Sequence, residues 1–159
     1  MHSNAELITR FYQAFQQRDG AAMAACYADD VAFTDPVFPA LKGAEAGDMW
    51  RMLTERAADL RIEFSGVEAD ETRGRAHWEA WYTFSTTGKK VHNVIDAEFE
   101  FRGGQIVRHV DTFSFPRWAA QALGFAGRLL GGTGFLRRKV QGQAAVGLQK
   151  FRARASTNR

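Results

Sequence analysis

From residue 61 to residue 115 the sequence reads as four strands in a row, and the last three alternate so cleanly that each has one buried face. In RAHWEAWYTF (75–84), Trp78, Ala80, Tyr82 and Phe84 fall on one side, with His77, Glu79, Trp81 and Thr83 on the other. In VHNVIDAEFEF (91–101), Val91, Asn93, Ile95, Ala97, Phe99 and Phe101 oppose His92, Asp96, Glu98 and Glu100. IVRHVDTFSF (106–115) places His109, Asp111 and Phe113 in step. Successive side chains on a strand point to opposite faces, so a one-residue slip would turn every apolar set to water. The glycine-bearing stretches STTGKK and RGGQ are predicted hairpin turns, and RIEFSGVEAD (61–70) is a further strand ahead of them.

Such a sheet needs a covering layer. Leu7, Ile8, Phe11 and Phe15, then Met23, Cys26 and Tyr27, recur at helical spacing over residues 4–28, broken at QQRDG. Ser3 or Asn4 is the predicted N-cap. VAF is a short strand that stops at Asp35-Pro36, because a residue before proline avoids helical geometry. Trp50, Met52, Leu53 and Ala57 predict a third helix from Ala44 to about Leu60. Helices followed by antiparallel strands argue an α+β domain with helices on one sheet face. Beyond Pro116 the chain is predicted helical again, with Phe135, Leu136, Val140, Ala144, Leu148 and Phe151 forming a stripe.

At 159 residues the chain fits one domain that buries roughly two thirds of its unfolded surface. Its one cysteine, Cys26, cannot form an internal disulfide and reads as core packing; no Cys/His set has zinc spacing. With no signal-like start and no membrane-length apolar run, the expected location is the cytoplasm. Charge divides sharply. Up to Asp111 there are 12 Lys and Arg against 18 Asp and Glu, net −6; after it there are nine Lys and Arg and no acid, net +9. The basic tail therefore either docks on the acidic body or a second subunit, or meets an anionic surface. Docking is the favoured reading. Membrane-surface contact is the less favoured one, and no nucleic-acid motif accompanies the charge.

If Phe99 and Phe101 face the interior, pairing across RGGQ carries His109, Asp111 and Phe113 there too, with Asn93 one strand over. Trp78 and Tyr82 supply wall, Tyr82 with a hydroxyl to donate, and Trp50 adds wall or core from its helix. His109 and Asp111 are either an acid–base pair, a buried pair that only fixes the sheet, or an outward solvated pair. Asp35 is either a general base or the residue that starts a turn before proline. His77, Glu79, His92, Asp96 and Glu98 belong to the outer face. No nucleotide fingerprint or metal triad occurs, so neither cofactor nor metal is expected.

RFYQAFQQRDGAAMAACYADDVAFTDPVF and AEFEFRGGQIVRHVDTF resemble the opening and the final hairpin of the nuclear transport factor 2-like superfamily, over residues 4–115. The resemblance implies a cone-shaped curved antiparallel sheet wrapped on N-terminal helices around a pocket, often dimeric through the sheet's outer face. Residues 1–115 would be this domain, and 116–159 a basic helical extension of it. In ketosteroid isomerases of the superfamily the general base falls where Asp35 stands, but Phe11 occupies the tyrosine donor's place, with Tyr12 about 100° round the helix. Ala97 occupies the neutral acid's place, with Asp96 facing away. In the SnoaL-like cyclases a last-strand carboxylate works beside a histidine; Asp111 falls near that carboxylate, with His109 its same-face neighbour. Limonene epoxide hydrolases use an Asp–Arg–Asp cluster, for which no buried arginine can be placed.

The resemblance thus implies a SnoaL-like protein binding a small hydrophobic molecule as a homodimer. It is either a cofactor-independent isomerase, cyclase or hydrolase acting on an apolar carbonyl or epoxide compound, or a non-catalytic binding or assembly module.

Overall fold

The computed structural model describes residues 1–157. Helices α1 (Ser3–Gln16) and α2 (Gly20–Ala25) lead into β1 (Tyr27–Thr34) and the two-residue β2 (Leu41–Lys42). Then come α3 (Ala44–Arg56), β3 (Arg61–Ala69), β4 (Arg73–Phe84), β5 (Lys89–Arg102) and β6 (Gln105–Thr112). Helices α4 (Phe115–Leu123), α5 (Phe125–Leu130) and α6 (Gly134–Thr157) complete the described chain. One six-stranded sheet has the order β2-β1-β6-β5-β4-β3. All neighbours are antiparallel except β1 and β6, which run parallel, so the fold is an α+β cone with a mixed sheet.

Local departures from the sequence reading have simple causes. The α1 cap is His2, whose Nδ1 accepts from the Asn4 N–H, leaving Asn4 free to tie α1 to the Asp70 and Glu71 carbonyls. The second helix stops at Ala25, and Tyr27 opens a strand, because the Cys26 carbonyl already accepts from Ile106 in β6. Strand β6 ends at Thr112; Ser114 Oγ then caps α4, with Pro116 in its first turn where a missing N–H is harmless.

Phe11, Tyr12, Phe15, Phe33, Trp50, Trp78 and Phe99 fill the space between the helices and the inner sheet face. A second, smaller core gathers Val91, Phe115, Trp118, Leu136 and Val140, with Val37, Tyr82 and Phe113 bridging toward the first. Of the tail stripe, Leu136, Val140 and Leu148 are buried and Ala144 and Phe151 partly so, but Phe135 is exposed. The tail docks on the acidic body of its own chain: Arg152 Nε lies 3.0 Å from Asp48 Oδ2, its Nη1 lies 3.8 Å from Glu45 Oε2, and Gln141 donates to the Pro36 carbonyl.

Gly127 sets the approach of α5 to α4. A Cβ there would fall on the Ala119 carbonyl, a backbone atom that cannot swing aside. Gly127→Ala is therefore expected to cost about 1–3 kcal/mol by overpacking, measured by urea denaturation against wild type.

Candidate active site

The site is built where β6, β5 and α3 converge. Phe99 pairs with His109 and Ala97 with Asp111 across β5 and β6, which turns both polar side chains toward the helices. His109 is wholly buried and Asp111 nearly so. Rings surround the imidazole: Phe99 at 4.4 Å, Phe33 at 5.0 Å and Phe11 at 5.5 Å, with Trp50 stacked at 6.2 Å between centroids.

A hydrogen-bonded chain runs through this apolar shell. Trp50 Nε1 donates to Tyr27 Oη at 2.7 Å, and Tyr27 Oη lies 2.8 Å from His109 Nδ1. His109 Nε2 lies 2.9 Å from Asp111 Oδ1, which also accepts from Trp78 Nε1 at 3.2 Å. Indole is a donor only, so the Tyr27 oxygen accepts from Trp50 and its single proton is left for His109 Nδ1. Donor counting then assigns a neutral imidazole with the proton on Nε2, donating to the Asp111 carboxylate. Among the described residues two buried side-chain polar atoms have no protein partner, Asp111 Oδ2 and Tyr12 Oη. Burial, and then the charge of Asp111 and the neighbouring Tyr27 phenol, push the Tyr12 phenol well above its ordinary range, so it remains a neutral donor.

Asp35 sits at the rim. Parallel pairing of Phe33 with His109 and Thr34 with Val110 puts Asp35, the next residue, level with Asp111. Its Oδ1 accepts from the N–H groups of Val37 (2.7 Å) and Phe38 (2.6 Å), so it does form the turn expected of an Asp before proline. Burial nevertheless pushes its pKa up to about 7, helped by the Asp111 charge and opposed by those two N–H groups and by Arg137.

Because the folded protein holds this proton more tightly than the unfolded chain, Asp35 favours folding most at low pH. That contribution declines as pH rises from about 4 to about 7. Asp35→Asn, which keeps the acceptor oxygen, is expected to match wild type near pH 4 and to exceed it by about 1–3 kcal/mol at pH 8, read from melting curves across pH.

The SnoaL-like domain profile matches residues 8–109, well over half of the chain. The chain belongs to the SnoaL-like domain family. No curated protein matches it in sequence. Similar solved structures include a candidate polyketide cyclase from Xanthomonas campestris pv. campestris, at 24% identity and TM-score 0.63, covering 75% of this chain and 96% of that one. An LEH-like epoxide hydrolase from M. tuberculosis aligns at 17% identity and TM-score 0.64, over 80% of this chain and 96% of its own. An NTF2-like protein of unknown function from Burkholderia pseudomallei gives 20% identity and TM-score 0.61, over 71% and 92%. At these identities the likeness speaks for the fold.

Within this SnoaL-like cone, Asp111, His109, Trp78, Phe99 and Trp50 form one contiguous group. Asp35, Tyr82 and Phe113 lie toward the second core: Tyr82 Oη accepts from Trp118 Nε1 at 2.8 Å, and burial pushes its phenol up to about 12. Asn93 is half-buried opposite Ala80 and takes no part in the hydrogen-bonded chain. Tyr27 enters the hydrogen-bonded chain and Tyr12 brings an unpaired hydroxyl to the same core, although neither was a sequence candidate. The outer face carries the chain Asp96–His77–Glu79–His92, linked by contacts of 2.9, 3.1 and 2.8 Å. It also bears a charged depression of about 510 Å³, where Arg75 pairs with Glu68.

Proposed function

We propose that the cone interior is a cofactor-independent acid–base site for an apolar carbonyl compound. One observation carries the reading: Asp111 Oδ2 is buried and unpaired, on a carboxylate whose other oxygen is held by two N–H donors. A carboxylate that served only to fix the sheet would be expected to have both oxygens satisfied. In this reading Oδ2 takes a proton from the carbon beside the carbonyl. Tyr12, the other unpaired buried group, donates to the oxygen as it gains charge. Asp35, a neutral acid up to about pH 7, gives its own proton to the product from the rim, and exchange with water then removes the proton from Asp111 and restores the one on Asp35. His109 is a positioning residue: it fixes the carboxylate and is fixed in turn by Tyr27.

Epoxide opening through an Asp–Arg–Asp cluster is less well supported. The buried charged and polar groups among the described residues are Asn4, Asp48, Thr54, His109 and Asp111, with no arginine. We place the protein in the cytoplasm as a homodimer paired through the outer face around Trp81 and His92, whose rings stack at 4.5 Å.

A second reading, a non-catalytic binding or assembly module, draws on the closed interior. Trp50, Phe11 and Phe99 are fully packed, and Leu136 and Val140 of α6 lie against the rim core. Incubating the protein in D2O with a panel of cyclic ketones and enones separates the two. Protein-catalysed deuterium uptake beside the carbonyl supports the acid–base reading, and tight binding without uptake supports the module.

A further inference from the structure

The large apolar side chains left outside are concentrated in one stretch, residues 125–135. Phe125 is 76% exposed, Leu129 64%, Leu130 40% and Phe135 65%. Phe125 and Leu129 are four apart on α5 and share a face. Leu136, the next residue after Phe135, turns inward to the rim core, so the apolar character of this stretch is split between two sides. The exposed side is ringed by cations. Arg128, Arg138 and Lys139 are exposed, and Lys89, the first residue of β5, lies against Gly124 at the start of α5. Among the described residues none of these four cations forms an ion pair, whereas Arg152 further along α6 does.

We propose that this face docks on an anionic phospholipid bilayer. The charge decides the occupant. A second copy would bring the same uncompensated cations against these, whereas an anionic headgroup layer complements them and accepts the Phe and Leu side chains at its acyl boundary. Apolar insertion and cationic attraction are each insufficient for stable binding in isolation, and this surface combines them. The tail's docking contacts through Arg152, Gln141 and Leu148 are separate from it and hold α6 in place. The inference is independent of the chemistry assigned to the cone, and its test leaves Asp111 and His109 untouched.

The experiment is vesicle sedimentation of the full-length protein with phosphatidylcholine alone and with phosphatidylcholine–phosphatidylserine mixtures. The expected result is binding to the mixed vesicles that falls with salt, with little binding to the neutral ones. Phe125→Ser with Phe135→Ser is expected to lower partitioning by about tenfold or more, and Arg138→Glu with Lys139→Glu to do so comparably. All four side chains are exposed, and the charge pair tests the surface even if the serine pair perturbs α5. Failure to bind mixed vesicles at low salt would overturn the proposal. So would a lipid-free dimer that the serine pair converts to monomer, which would mark the face as a self-contact.

Discussion

Asp111→Asn is expected to lower carbonyl-adjacent proton exchange by about 10²–10⁴-fold, the usual range for losing a general base, with little change in stability. The asymmetry follows from the site. An asparagine can keep its Oδ1 toward His109 Nε2 and Trp78 Nε1 and place its Nδ2 where Oδ2 now stands without a partner. The fold loses nothing it had, while the reaction loses its proton acceptor. Asp111→Ala behaves differently. It leaves two buried donors unsatisfied, at about 1–3 kcal/mol each. A merely structural carboxylate would show the stability loss with Ala and no kinetic effect with Asn. Exchange rates by NMR and melting curves on the two variants distinguish these cases.

The largest effect on stability is expected at Trp50→Ala, about 3–5 kcal/mol for emptying a buried aromatic site. Trp50 packs against Phe11, Phe15, Phe33, Trp78 and His109, so neighbours on both the helical and the sheet side would border the cavity. A fall in melting temperature of roughly 10–15 °C corresponds to that loss for a chain of this size. Trp50→Phe keeps much of the volume but removes the donor to Tyr27. It is expected to melt within a few degrees of wild type, as is usual for a swap that loses one neutral hydrogen bond. Calorimetry on the pair separates packing from the hydrogen bond.

How much of this could be read in the sequence depended on periodicity. The strict alternation of β4, β5 and β6 fixed their faces, and with them the inward direction of Asp111 and His109. The three N-terminal helices and the helical tail were legible for the same reason. Tyr27 was not: it followed Met23 and Cys26 at helical spacing, and only the pairing of β1 with β6 makes it a strand residue beneath His109. That parallel pairing joins segments far apart in sequence, which no local pattern encodes. Tyr12 was visible as a phenol near Phe11, yet its orphaned hydroxyl depends on what α1 meets across the core. Phe135 went the other way. The stripe of α6 suggested burial, but the body reaches only Leu136 and the residues that follow it in step.

The central claim, that Asp111 Oδ2 faces the reacting carbon, is tested most directly by a structure with a bound cyclic ketone or enone chosen from the exchange panel. The account places the carbon beside the carbonyl within about 3.5 Å of Oδ2, a near-attack distance, and the carbonyl oxygen within hydrogen-bond reach of Tyr12. A ligand seated on the outer sheet face, or one inside the cone whose carbonyl points away from Asp111 and Tyr12, would contradict it.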